Sequence, residues 1–350
     1  MRYLYLLIAL MIFTLPDYAH CAEPNNGNKV PVPAQGAYLG ASVLLGDISF
    51  PQFEQMIGKP LAIQQLFFED GHNFNDHIKM APNGVFEMVN GNHNTIPMVN
   101  VQSKQRTLAE INSNTINPAD DRFNHEQLPD EYYRKLARAF KAYGKPMFFR
   151  WDQEMNAPWY GYCTNSGKPK CFDRDTNRQQ ESQDFVRAWR HVHDIFAQEG
   201  VTNVSWVWCP AVKEFGDMRD VYPGDAYVDW IGLDGYNKSP PNPWMSFDQV
   251  FAKAYNDIVQ IAPSKPLMIA EFGSSTGDDP TGKHKAQWMA DAFARIPAYT
   301  HIKAVLFFNV DSSKNTNVNE PFDWQVQNNP VILDAVKNAI ANRYYLSNMQ

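Results

Sequence analysis

PLMIAEFGSS, residues 266–275, runs four apolar residues, Leu267-Met268-Ile269-Ala270, directly into a carboxylate, Glu271, followed by Phe272-Gly273. A short apolar run bounded by proline and glycine reads as a fully buried strand. FFRWDQEMNAPWYGY, residues 148–162, repeats the arrangement, with Met147-Phe148-Phe149 leading to Glu154. A carboxylate just past a buried strand is costly to desolvate, which marks a functional position rather than a packing one. Two such carboxylates amid aromatic residues, 117 positions apart (271 − 154), fit acid/base and nucleophilic work on a glycosidic bond.

Six further apolar runs extend the pattern. The candidate strands are Ala37–Leu45, Ala62–Phe68, Thr95–Val101, Pro146–Arg150, Val204–Trp208, Trp230–Leu233, Leu267–Phe272 and Ile302–Phe308. Helical periodicity fills the intervals: Tyr132, Leu136, Ala139, Phe140 and Tyr143 recur every three or four residues within Pro129–Tyr143. Gln180–Gln198, Phe247–Ile261, Lys283–Ile296 and Pro330–Ala341 behave alike, whereas the runs after Phe53, Phe74 and Gln105 are less periodic. Eight strands alternating with helices predict the α/β class and a single (β/α)8 TIM barrel. An open doubly wound sheet would want a glycine-rich phosphate loop after the first strand, and GAYLGASVLLG, residues 36–46, does not supply one. In a barrel Glu154 follows the fourth strand and Glu271 ends the seventh, so both face one mouth.

The chain has 350 residues, 44% of them hydrophobic and 13% aromatic, and a net charge of -7. An acidic balance argues against nucleic acid as a partner. It is compatible with a neutral polysaccharide or oligosaccharide, which needs no electrostatic steering. Arg2, the apolar run Leu4–Leu15 and small residues at Ala19, Cys21 and Ala22 read as a signal peptide over 1–22, and hence a secreted or periplasmic chain. Tyr18 and His20 fit a lipobox badly, which weighs against a lipid anchor at Cys21. Residues 23–34, EPNNGNKVPVPA, read as a flexible leader, and 35–346 as the catalytic domain. No transmembrane helix is expected after cleavage, and a monomer is the default for an exported depolymerase.

Cys163 and Cys171 bracket CTNSGKPKC, where export favours a local disulfide. Cys209 reads as a buried, inert thiol. His72, His77 and His93 lack tight ligand spacing and HExxH is absent from the sequence, so no metal is expected, and no serine nucleophile elbow is read. No cofactor is required, because carboxylates and water suffice for glycoside hydrolysis.

Glu271, preceded by four apolar residues, is held as a nucleophile should be, and Glu154, in a loop with Asp152, Gln153 and Asn156, is placed as the acid/base. Taken alone, either glutamate could be a structural partner of an arginine such as Arg150. Trp159, Tyr160, Trp208, Tyr236 and Trp244 are candidate sugar-stacking residues, and Tyr236 is best placed to donate a hydrogen bond to a nucleophilic carboxylate. Arg150, Gln153 and Phe308 complete the candidate substrate-binding set.

FRWDQEMNAPWYGY (149–162), VDWIGLDGYN (228–237) and PLMIAEFGSS (266–275) resemble, in order and spacing, segments of glycoside hydrolase family 26. The resemblance extends roughly from Leu39 to Phe308. It implies a (β/α)8 barrel, retaining hydrolysis, Glu154 as acid/base, Glu271 as nucleophile, Tyr236 orienting that nucleophile and Trp159 as a sugar-binding wall. It also implies an endo-β-glycanase with β-1,4-mannan as the commonest substrate, with mixed-linkage β-1,3-1,4-glucan or β-xylan as alternatives. Departures stand at Gln153, where the family commonly has His, at Phe308-Asn309, where Trp is frequent, and at Cys209, where Asn is commoner. A non-catalytic carbohydrate-binding barrel is the reading from another class; in such a protein both glutamates would be expected to drift.

Overall fold

A computed structural model describes residues 28–43, 48–70, 95–103, 106–116, 128–164, 180–213, 217–314 and 322–349. The eight expected strands are present as β1 (Ala37–Ser42), β2 (Ile63–Glu69), β3 (Ile96–Gln102), β4 (Met147–Trp151), β5 (Val204–Trp208), β6 (Trp230–Asn237), β7 (Leu267–Ser274) and β8 (Ile302–Phe308). They pair in sequence order, and β1 is hydrogen-bonded to both β8 and β2, which closes a parallel barrel. Around it lie α1 (Phe50–Ile57), α2 (Leu108–Ser113), α3 (Pro129–Tyr143), α4 (Ser182–Gln198), α5 (Phe247–Ile261), α6 (Lys283–Arg295) and α7 (Pro330–Ile340). The molecule is a single (β/α)8 barrel.

The two-residue period of a strand sorts the core into two layers. Tyr38, Ile63, Met98, Phe148, Val207, Met268, Ala304 and Leu306 pack inside the barrel. Phe149, Trp151, Trp206, Trp208, Leu233, Ile269, Val305 and Phe307 belong to the outer core shared with the helices. There Phe149 stacks on Phe196 of α4 at 5.2 Å between ring centroids. Tyr132, Tyr133, Leu136 and Phe140 deliver the buried face of α3 to this layer. Capping boxes at Ser49 of α1, Thr107 of α2 and Ser246 of α5 satisfy first-turn amides, each contributing about 1 kcal/mol.

Two departures from the sequence reading bear on the site. β6 runs four residues past Leu233 because inward-facing Asp234 finds a buried charge partner, so the strand continues where its apolar run stops. In β7 the register against β6 shifts by one: Leu233 pairs with Ile269, but Asp234 pairs with Glu271. That bulge at Ala270 lets Ala270 and Glu271 both turn away from the helix layer, while Phe272 rejoins the outer core. Strict alternation would have aimed Glu271 at the helices.

Within residues 28–34, expected to belong to a flexible leader, Lys29 and Val30 are bonded to the barrel. The Lys29 ammonium pairs with Asp229 at 2.6 Å, and the buried Val30 donates its N–H to Ser205 Oγ at 3.0 Å. A short β9 (Tyr345–Leu346), unanticipated from sequence, adds to β1. Among the described residues no helix is long and apolar enough to cross a membrane. The expected signal peptide and Cys171 lie outside the described residues, as do His72, His77 and His93.

Candidate active site

Arg150, inward-facing at the end of β4 and fully buried, is the hub of the barrel mouth. Its Nη1 donates to both Asp234 oxygens, at 2.9 and 2.8 Å. Nη2 donates to Glu271 Oε1 and Nε to Asn100 Oδ1. With its amide oriented to suit both neighbours, Gln65 accepts from Nη2 at 2.9 Å and donates to the Ala270 carbonyl at 3.1 Å. One guanidinium thus joins β2, β3, β4, β6 and β7. A planar fork with five donors can serve several acceptors in fixed geometry, which a lysine cannot.

Glu271 has a second anchor on its other oxygen, since Tyr236 Oη donates to Oε2 at 2.5 Å. Tyr236 is itself wedged between Trp324, 4.7 Å away, and Phe308, edge-on at 5.7 Å. Trp324 is fixed from behind: the buried Lys285 donates to the Asp323 and Gln325 carbonyls, both at 2.9 Å. The carboxylate therefore sits clamped between a guanidinium and a phenol, each held by its own packing.

Glu154 is placed by a strained loop. Asp152 and Glu154 adopt φ of 45° and 58°, a region that costs a side-chain-bearing residue about 1–2 kcal/mol. Surrounding bonds impose it: Ser103 N–H and Oγ–H reach Asp152 at 2.6 and 2.5 Å, Tyr162 Oη donates to the Gln153 carbonyl, and Glu154 N–H donates to the Cys209 carbonyl at 2.7 Å. The Glu154 carboxylate accepts from Trp159 Nε1 at 2.6 Å. Its pKa is raised to about 7, chiefly by burial and next by the charge of Glu271, with the Trp159 hydrogen bond, Arg150 and Lys238 pulling downward.

Above these groups opens a cleft of about 360 Å³ lined by Glu154, Trp159, Asp234, Tyr236, Lys238 and Asn242, among others. Trp159 is 45% exposed on its wall. Glu154, Trp159 and Tyr236 thus come together there as the sequence predicts, and Phe308 backs Tyr236. Other candidates change place. Trp208 is fully buried in the outer core, edge-on to Tyr222, because Val207 of β5 and Cys209, one residue past its end, take the inward positions. Trp244 lines a separate pocket. Arg150 and Gln153 are buried, and Arg150 acts through carboxylates rather than through exposed surface. Tyr160 stacks on Tyr162 at 5.0 Å instead of lining the cleft. Cys209 is buried as expected but not isolated, lying 3.2 Å from Asp234 Oδ1. Asp234, Asn100, Gln65 and Lys238 were missed as site residues; position after a barrel strand would have flagged Lys238, one residue beyond β6. Among the described residues no group of three or more His, Cys, Asp or Glu side chains is placed to hold a metal.

The sequence pattern of Glycosyl hydrolase family 26 matches residues 131–307, half of the chain and all of the segment from β4 to β7. The chain belongs to glycosyl hydrolase family 26. Endoglucanase H of Acetivibrio thermocellus is 28% identical over 95% of this chain and 33% of its own length. A mannan endo-1,4-beta-mannosidase of Bacillus subtilis is 27% identical over 39% of this chain and 32% of its own. The chain therefore spans about a third of the length of these curated relatives. A GH26 beta-mannanase structure from Bacteroides ovatus superposes with a TM-score of 0.61 at 16% identity, covering 89% of this chain and 90% of that one. At that identity the likeness concerns the fold, and it agrees with the family 26 barrel described above.

Proposed function

We propose that this family 26 chain is a retaining endo-β-glycanase acting on a neutral β-linked polysaccharide, with Glu154 as acid/base and Glu271 as nucleophile. The observation that carries the reading is the contrast between the two carboxylates. Glu154 is buried and holds its proton to about pH 7, whereas Glu271 is fixed on both oxygens by Arg150 and Tyr236. In the first step a Glu271 oxygen attacks the anomeric carbon as the glycosidic bond breaks, and Glu154 gives its proton to the leaving oxygen. In the second, Glu154 takes a proton from water, the water oxygen bonds to the anomeric carbon, and Glu271 leaves as a carboxylate. Trp159 offers an exposed indole to the sugar beside the bond being cut.

Two backbones compete as substrate. Correspondence with endoglucanase H along nearly the whole chain favours a β-glucan, and the mannosidase relative favours β-1,4-mannan. Reducing-sugar release from barley β-glucan, glucomannan, galactomannan and β-1,3-xylan separates them. Release from none of the four by a folded protein would sink the hydrolase reading on these backbones and favour a barrel that binds without cleaving. We further propose export after cleavage of residues 1–22 and a Cys163–Cys171 disulfide; an intact mass retaining residues 1–22 or two free thiols there would refute them.

The pH profile tests the assignment of Glu154. It must carry a proton to act as acid, so kcat/KM is expected to fall as pH rises through about 7. Trp159→Phe removes a hydrogen bond that favours the ionised carboxylate. The alkaline limb should then move upward, by roughly half to one pH unit. A limb that stays put or moves down would separate that ionisation from Glu154.

A further inference from the structure

Trp244, displaced from the catalytic cleft, occupies a surface pocket of about 480 Å³ on the far side of the loop between β6 and α5. Its indole is 39% exposed, unusual for a large aromatic side chain with no core to fill. It is also mounted rather than loose. Gly277, at φ +66°, lies so close that a Cβ there would sit 3.0 Å from the six-membered ring, so the indole rests against bare backbone. His284 flanks it at 5.8 Å between ring centroids.

The next residue is pinned at both ends: Met245 N–H donates to Asn237 Oδ1 at 3.0 Å, and its carbonyl accepts from Trp288 Nε1 at 2.8 Å. Around the indole stand planar polar side chains, Asp278, Gln287 and Asp291. A preorganised aromatic plate bordered by carboxylate and amide acceptors is the chemistry that recognises a pyranose, whose C–H face is apolar and whose rim is hydroxyl. The neighbours of Trp244 in sequence, Pro243 and Met245, line the catalytic cleft, and Gln249 lines both cavities. A polymer held at one is thereby kept near the other.

We propose that the Trp244 pocket is a second glycan-binding site, taking a stretch of the same neutral β-linked polysaccharide outside the catalytic cleft. The proposal rests on the glycanase reading above, and its test is arranged so that the two can fail separately. Hydrolysis by the wild-type chain on the four polymers decides the glycanase reading. Retardation in native gels containing each of the four polymers decides the second site whether or not that polymer is cut, with Glu271→Ala as the parent so that the polymer survives. Adding Trp244→Ala to that parent should weaken retardation roughly fivefold to tenfold, and Trp244→Phe, which keeps an aromatic face, should restore at least half of it. Trp159→Ala in the same background should lower retardation independently, and the double variant should show both losses multiplied. Equal retardation of the parent and its Trp244→Ala form would overturn the proposal. So would equal losses from the Phe and Ala variants, since a loss that an aromatic ring cannot rescue is one of loop structure rather than stacking.

Discussion

Alanine in place of Glu271 is expected to lower kcat by roughly 10⁴-fold or more, in the range seen when a nucleophile is deleted from a concerted site, while the fold persists. Arg150 keeps its paired bonds to Asp234 in that variant, so its charge is not orphaned. Glu154→Ala should look different. On a natural polymer both steps slow, because no acid serves the leaving oxygen and no base serves the water. On an aryl glycoside, whose leaving group departs unaided, the first step survives and the glycosyl-enzyme accumulates, giving a burst. Azide, a nucleophile needing no base, should then restore turnover and yield a glycosyl azide of retained β configuration. With Glu271→Ala, azide would instead enter from the emptied face and give the α product. Retained azide product from the Glu271 variant would reverse the two assignments.

Arg150→Met should be the most damaging of these changes to stability, and should cut activity as well. It leaves Asp234 and Glu271 buried without their cation and strips Asn100 and Gln65 of a donor. Breaking a buried ion pair from one side costs about 3–5 kcal/mol, and loss of the Glu271 clamp should lower kcat at least about a thousandfold. Arg150→Lys should rescue little, since a single ammonium cannot bridge carboxylates on β6 and β7 while reaching Asn100 on β3. Arg150→Met combined with Asp234→Asn should recover part of the melting temperature, by removing one stranded charge, but none of the rate. A single Arg150→Met variant that melts and turns over like the parent would show that this network is incidental.

The two glutamates were legible because each ends an apolar run that only a buried parallel strand explains, and Tyr236 because it ends such a strand itself. Their neighbours were not. Asp234 and Arg150 lie 84 residues apart, and Arg150 and Glu271 121 apart; pairing at that range follows from barrel closure, not from local pattern. Strand sidedness was partly available. Alternation along VSWVWC puts Trp208 and Cys209 on opposite faces, and the inward face of β5 belongs to the smaller residue. Alternation alone, however, would have aimed Glu271 at the helices, since the bulge at Ala270 has no signature in PLMIAEFGSS. Trp244 sits in a rim loop, where neither period nor run length says which side of the loop an indole will take.

The left-handed backbone at Glu154 sets heat tolerance against turnover at a single codon. Glycine would adopt φ of 58° without the penalty that a glutamate carries, and it would bury no ionisable group. The native chain holds the Glu154 proton to about pH 7, against an ordinary glutamate value near 4.3 once unfolded. Stability linked to that proton is whole below the unfolded value and drains away as pH climbs through 7, by up to about 4 kcal/mol. A library selected only for survival of heating at alkaline pH should therefore drift away from glutamate at position 154. The variants it rewards would be durable barrels with nothing to hand a leaving oxygen.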